Sequence, residues 1–235
     1  MKLRNRLPSL LKNKESRNKV YAFYQRHQEK IVDIVLFGST VRGKEKPSDI
    51  DILIIYKERE DLTLNHELKK ILGTGFQITS RTYKNLFDRA FLARESFIFE
   101  GYSLLYDTLL SEGLGLRAYI LFKYVITEFP KSKSMRFYYA LYGRSNDTEG
   151  VLQKYHSIKF SDTILLTPLE YSEPMKDFLA HWEIPFMQLP ILFPMRMETV
   201  IQKYPAERNT VKFGVLHGKK LTPFKRQKDI AGRGW

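Results

Sequence analysis

The stretch VLFGSTVRGKEKPSDIDILIIY, residues 35–56, decides how this chain is read. An apolar strand runs into Gly38-Ser39. A connection from Thr40 to Ser48 follows, and Asp49-Ile50-Asp51 opens a second apolar strand. Gly38 has no Cβ, so backbone there can approach a ligand closely. The N–H groups of the turn after it, with the Ser39 hydroxyl, suit phosphate oxygens. Strand side chains alternate faces, so Asp49 and Asp51 share one face, about 6.6 Å apart at ~3.3 Å per residue, while Ile50 and Ile52 turn to the core. Two carboxylates so placed repel each other unless a cation sits between them, and they can converge on Mg²⁺ ions bound to a triphosphate. An ordinary strand-ending turn is the alternative for Gly38-Ser39, and a solvated strand end for the acidic pair. A surface salt bridge is the alternative for Arg42.

Working outward, Val20, Phe23 and Tyr24 recur at helical spacing among charges, which predicts a helix over 13–30. Ile31 to Phe37 and Ile50 to Tyr56 are β-branched, apolar runs and predict strands. A helix from Asp61 to Leu72 is stopped by Gly73 and Gly75. A short strand from Phe76 to Thr79, a helix from Thr82 to Leu92 and a strand from Ser103 to Tyr106 complete the first unit. Beyond it, Leu114 to Phe129 is expected to be an amphipathic helix closed by Pro130. A basic loop, Lys131-Ser132-Lys133, then leads into the aromatic stretch Phe137-Tyr138-Tyr139. Thr163 to Leu166 is expected as a strand, Glu173 to Trp182 as a helix, and Phe186 to Phe193 as a proline-interrupted strand at a sheet edge.

The whole chain has 235 residues, 43% of them apolar and 14% aromatic, which is ample for a packed core. It has no cysteine, so disulfides, thiolate metal sites and cysteine nucleophiles are excluded. No apolar run approaches the ~20 residues that span a bilayer, and the basic start lacks the apolar stretch of a signal peptide. A soluble, cytoplasmic protein is the expectation. The net charge of +13 is unevenly placed. Residues 1–31 and 201–235 each hold nine Lys/Arg against two Asp/Glu, while the body between them is close to neutral. Two cationic ends suggest a polyanion partner, with solvated tails as the plain alternative. Phe137, Tyr138, Tyr139 and Tyr142 beside Arg136 and Arg144 could stack on bases or form core. His27, His66, His156, His181 and His217 show no ligand spacing, so no zinc site is expected.

Gly38-Ser39-Thr40-Val41-Arg42-Gly43, with Ser48-Asp49-Ile50-Asp51-Ile52-Leu53-Ile54, resembles the signature of the nucleotidyltransferase superfamily related to DNA polymerase beta, and most of all its minimal prokaryotic members. Glu100 to Asp107 also resembles the end of that domain, so the resemblance covers roughly residues 15–108. It implies transfer of a nucleoside monophosphate from an NTP to an acceptor hydroxyl, with pyrophosphate leaving. By the same resemblance Gly38 and Ser39 hold the triphosphate, Arg42 is placed to touch phosphate, and Asp49 and Asp51 bind Mg²⁺ (or Mn²⁺). Members of the family usually carry a third carboxylate on the next strand. Here that strand is Phe76-Gln77-Ile78-Thr79, with Gln77 the expected occupant of the position. A neutral amide accepts a hydrogen bond but neither takes up a proton nor adds charge to a metal.

The expected fold class is α+β. A nucleotidyltransferase-like mixed sheet flanked by helices fills 1–108 with a basic N-terminal helix; a second small α/β domain, suited to substrate recognition, fills 109–200; a basic tail fills 201–235. The expected function is Mg²⁺-dependent nucleotidyl transfer to RNA, without a membrane partner. A catalytically silent nucleotide- or nucleic-acid-binding member, or an antitoxin-like modifier of a partner protein, is the alternative.

Overall fold

The computed structural model describes residues 14–88, 91, 93–144, 148–203, 215–216 and 219–220. Helix α1 (Lys14–His27) leads into strands β1 (Ile31–Phe37) and β2 (Ile50–Tyr56). Helix α2 (Leu62–Leu72), β3 (Phe76–Thr82), α3 (Tyr83–Leu86), α4 (Arg94–Glu100), β4 (Tyr102–Ser103) and β5 (Thr108–Leu109) follow. The first sheet has the order β3-β2-β1-β4-β5. β2 and β3 are parallel and the remaining pairs antiparallel, so the sheet is mixed. Together with its helices it makes the α+β fold expected from the sequence.

Local chemistry accounts for these elements. Asp61 caps α2 by accepting from the Thr63 and Leu64 amides, and Lys30 Nζ donates to it at 3.1 Å. The helix ends where the Gly73 N–H reaches the Lys69 carbonyl. β2 buries both faces, but with different partners. Ile50, Ile52, Ile54 and Tyr56 join the main core with Val20 and Phe23 of α1, whereas Leu53 and Ile55 pack with Val35 and Leu86 in a smaller cluster. Strand alternation puts Asp51 on that second side, and Asp49 lies just before the strand, which begins at Ile50. The helix expected over 82–92 is a single turn instead. Thr82 caps it through the Asn85 amide, it stops at Phe87, and the next helix begins at Arg94. The strand expected at 103–106 shortens to Tyr102–Ser103, where the chain turns.

After α5 (Leu110–Gly113) comes β6 (Leu116–Tyr124), where a helix was expected. Ala118, Ile120, Phe122 and Tyr124 face the main core, and Tyr119 lies in a separate cluster with Leu121 packed against it. A strand buried on both faces is apolar almost continuously, and such a run has no distinct period. Pairing with two neighbours decides it: β6 lies between β8 (Ile164–Pro168) and β9 (Phe186–Pro194), with β7 (Ile158–Ser161) outside β8. All these pairs are antiparallel, so the second sheet is not the parallel type of an α/β unit. β9 is the edge strand with Pro190 and Pro194 in it, as its prolines predict. The supposed basic loop is the first turn of α6 (Lys131–Tyr142), entered from Pro130. Then come α7 (Val151–Lys154), α8 (Ser172–His181) and α9 (Glu198–Lys203), and the hairpin β10 (Val215–Leu216) and β11 (Lys219–Lys220). The main core continues without a break from Val20 to Leu179 and Ile184, so both sheets share it. Most of the basic ends, 1–13 and much of 204–235, lies outside the described residues. Among the described residues no helix is long and apolar enough to cross a membrane.

One buried acid has a stability consequence. Asp33 in β1 accepts from the Ile34 amide at 2.7 Å and from Ser103 Oγ at 2.9 Å. Burial outweighs these bonds and pushes its carboxyl up to about 6. A folded-state value above the unfolded one means stability is full in acid and lost as pH rises from about 4 through about 6. Asp33→Asn removes that loss. It should match wild type near pH 4 and exceed it by ~1–3 kcal/mol at pH 7 in urea titrations; an equal difference at both pH values would contradict a charged, buried Asp33.

Candidate functional site

β1 ends where Phe37 pairs with Asp51 of β2, and the chain then turns at Gly38 with φ of +83°. A Cβ placed on Gly38 would sit 2.9 Å from Asp51 Oδ2. The turn backbone therefore closes directly onto that carboxylate, in a conformation that L side chains rarely adopt. The chain coils once after it: the Val41 amide reaches Gly38 O at 3.1 Å, and the Lys44 amide reaches Ser39 O at 3.0 Å. Ser39 and Thr40 open this coil, and leading amides are those that a helical turn leaves without an internal acceptor.

Asp51 is half-buried near the start of β2, and Asp49 is exposed in the bend just before the strand. Partial burial raises the Asp51 carboxyl above its ordinary value; the charge of Asp49 adds to this and that of Arg42 opposes it. Gln77 stands directly opposite Asp51 in the parallel β2–β3 register and is exposed. The neutral side chain thus occupies the strand position that the sequence suggested. Among the described residues no group of three or more His, Cys, Asp and Glu is gathered closely enough to hold a metal ion.

Arg42 has a different setting from the one its motif suggested. Its guanidinium donates to Glu100 at 2.5 Å and to Glu173 at 3.0 Å. Its carbonyl accepts the Glu173 amide at 3.1 Å and Ser172 Oγ at 3.4 Å. Next to it, Gly43 (φ +91°) lies so near the Glu170 carbonyl that a Cβ would fall 2.2 Å from that oxygen. The Arg-Gly half of the motif is thus the contact between the turn and the start of α8. Its charge still acts on Asp51, but through space. Glu100 and Glu173 were not among the candidate residues. Glu100 stood in a recognised stretch without a role, and nothing local marks Glu173 as a partner of Arg42.

A cavity of about 400 Å³ opens beside the Gly38 turn. Phe37, Leu53 and Phe97 give it an apolar lining, to which Thr79, Arg81 and Glu100 add a hydroxyl, a cation and a carboxylate. Leu53 and Thr79 follow Asp51 and Gln77 at two-residue spacing and therefore lie on the same sheet face. A wider cavity of about 520 Å³, lined mainly by Glu29, Lys30 and residues 57–62, lies past the far end of β2, away from the acidic pair.

Residues 18–100 match the family model described as Polymerase beta, Nucleotidyltransferase. The match runs through most of α1 to the end of α4 and leaves everything from β4 onward outside it. No curated protein and no solved structure matches the chain. On the family match, together with the mixed sheet that carries it, residues 18–100 belong to the polymerase beta-type nucleotidyltransferase superfamily.

Proposed function

We propose that the protein transfers a nucleoside monophosphate from an NTP to a hydroxyl of RNA, using Asp49 and Asp51 with Mg²⁺ (or Mn²⁺). The observation that carries this reading is the Gly38 turn closing on Asp51, with Asp49 in the bend just before the strand and near enough for its charge to act on Asp51. The donor set fits a metal that brings its own ligands. Two adjacent carboxylates, one raised by burial and by the other's charge, favour a divalent cation between them. Mg²⁺ is commonly held by one or two carboxylates with water and substrate phosphates completing its shell. Such an ion lowers the charge on the triphosphate and makes the acceptor hydroxyl more acidic.

The chain's own residues then do the following. Gly38 and Ser39 cradle the triphosphate through backbone amides and the Ser39 hydroxyl. Arg42, tied to Glu100 and Glu173, holds the turn in place. The cavity lined by Leu53, Thr79 and Phe97, with Arg81 and Glu100 in its wall, receives part of a substrate. The acceptor oxygen bonds to the α-phosphorus, the α–β bridging P–O bond breaks, and pyrophosphate leaves. Gln77 can orient the hydroxyl but cannot take its proton, which passes to water. The basic ends supply sequence-independent attraction for the RNA backbone.

A second reading is favoured by one observation, the pairing of Asp51 with Gln77 in place of another acid. On it the domain binds nucleotide without transferring it.

Incubation with each labelled NTP, Mg²⁺ or Mn²⁺, and total cellular RNA and protein separates the readings. Label in RNA supports the proposal, label in protein moves the acceptor to a partner, and binding without transfer supports the silent reading. Asp49→Asn and Asp51→Asn should each lower transfer at least 100-fold, a loss of about 2.7 kcal/mol in transition-state stabilisation, and weaken metal-dependent NTP binding without loss of stability. Full activity in the double variant would remove these residues from the reaction.

Gln77→Asp restores a third carboxylate opposite Asp51. Transfer should rise in the variant and its metal requirement should tighten, read as activity against Mg²⁺ concentration. No change, or a fall, would mean that an amide already serves there.

Deleting 219–235 removes six Lys/Arg. If all six neutralise phosphates, the slope of log affinity for RNA against log salt should flatten by about 4, at ~0.7 per phosphate on single strands. An unchanged slope would leave that end as solvated tail.

A further inference from the structure

Helix α6 splits its aromatic residues between two surroundings. Phe137 is fully buried, stacked on Phe178 and edge-on to Trp182, and Leu141 beside it is also core. At 3.6 residues per turn the opposite side carries Met135, Tyr139 and Tyr142, with Tyr138 on its flank. Met135 is 51% exposed, Tyr139 44% and Tyr142 38%. Tyr138 and Tyr142 lie nearly parallel, 5.8 Å between centroids and 11° between planes.

Cations gather around these rings. Arg144 lies over Tyr139 at 5.8 Å and Lys159 over Tyr142 at 5.4 Å. The helix itself contributes Lys131 and Arg136 and contains no acid, while its Lys133 turns to the Phe129 ring instead. Lys133 and Lys159 reach exposed acids, Glu183 and Asp162. Among the described residues Lys131, Arg136 and Arg144 form no ion pair. Exposed rings are costly to leave in water, and a protein core would offer no charge to so many cations. Bases stacked on the rings, with phosphates beside the cations, satisfy both.

We propose that the outer face of α6, with Tyr138, Tyr139 and Tyr142 as platforms and Arg136 and Arg144 as phosphate contacts, binds single-stranded nucleic acid. This rests on the reading of RNA as acceptor and gives that acceptor a docking surface in the second half of the chain. Stacking on a tyrosine face is tolerant of base identity, so the surface prefers unpaired strand over duplex without selecting a sequence.

The test is fluorescence anisotropy of a labelled oligouridine single strand, and of a duplex of equal length, with the full chain and no NTP. The expected result is tighter binding to the single strand. Affinity should drop about tenfold for each ring removed in Tyr139→Ala and Tyr142→Ala, and be retained in Tyr139→Phe and Tyr142→Phe. The alanine variants should keep the salt slope of wild type, whereas Arg136→Glu should flatten it by about 0.7 or more. A merely structural role of these residues would not separate affinity from slope in this way. Equal single-strand affinity in wild type and the Tyr139→Ala/Tyr142→Ala variant overturns the proposal. So does preference for duplex, or a variant that changes only the self-association of the chain, which would make the face a contact between copies. Asp51→Asn should bind the oligonucleotide as wild type does. Loss of transfer in Asp51→Asn with RNA binding indifferent to the tyrosines would sink this surface and spare the proposed reaction. Tyrosine-dependent binding with no label transferred by wild type would do the reverse.

Discussion

With no Cβ at Gly38, the backbone leaving β1 passes so near Asp51 that a single added carbon would stand 2.9 Å from its carboxylate. The rest of the site follows from that approach. It places the coil that begins at Ser39 beside the start of β2, which holds Asp51 and is preceded by Asp49. It also leaves Asp51 partly desolvated, which raises its carboxyl and makes a bound cation more valuable there than at an open strand end. A conformation available to glycine and an acid on the neighbouring strand are thus one constraint.

The coil is held from its other side by a contact that crosses the chain. Arg42 reaches Glu100 at the end of α4 and Glu173 in α8, and Gly43 lets the backbone lie against the Glu170 carbonyl. Partly buried charge pairs of this kind are valuable mainly for what their loss would expose, since one stranded carboxylate is costly. The second half of the chain therefore does more than sit beside the superfamily segment. It shares the main core with it and holds the loop on which the acidic pair depends. The aromatic outer face of α6 belongs to this same half, so a strand bound there would be anchored to the body that holds the turn.

Much of the first half was legible in residue order. β1 and β2 fall where β-branched runs placed them, and α2 starts and stops at its Asp61 cap and Gly73. Strand alternation put Asp51 on the face of Leu53 and Ile55, while Asp49, expected to open the strand, lies in the bend before it. Gln77 was named from its strand, and the β2–β3 register aligned it with Asp51. The second half was harder. β6 carries apolar residues to both faces, so its pattern admitted a helix until its neighbours were known. β7 was missed because it is short and only partly buried.

What residue order determined, then, was everything fixed by near neighbours: the strand–turn–strand from 31 to 56, the glycine at its bend and the acid at the start of β2. The tertiary structure alone decided which distant groups meet. Arg42 finds its two carboxylates 58 and 131 residues away, and Phe137 turns into the core while Tyr139 faces water. The physical reason is that periodicity and turn chemistry act over a few residues, whereas a charge or a ring takes its role from whatever the fold brings against it.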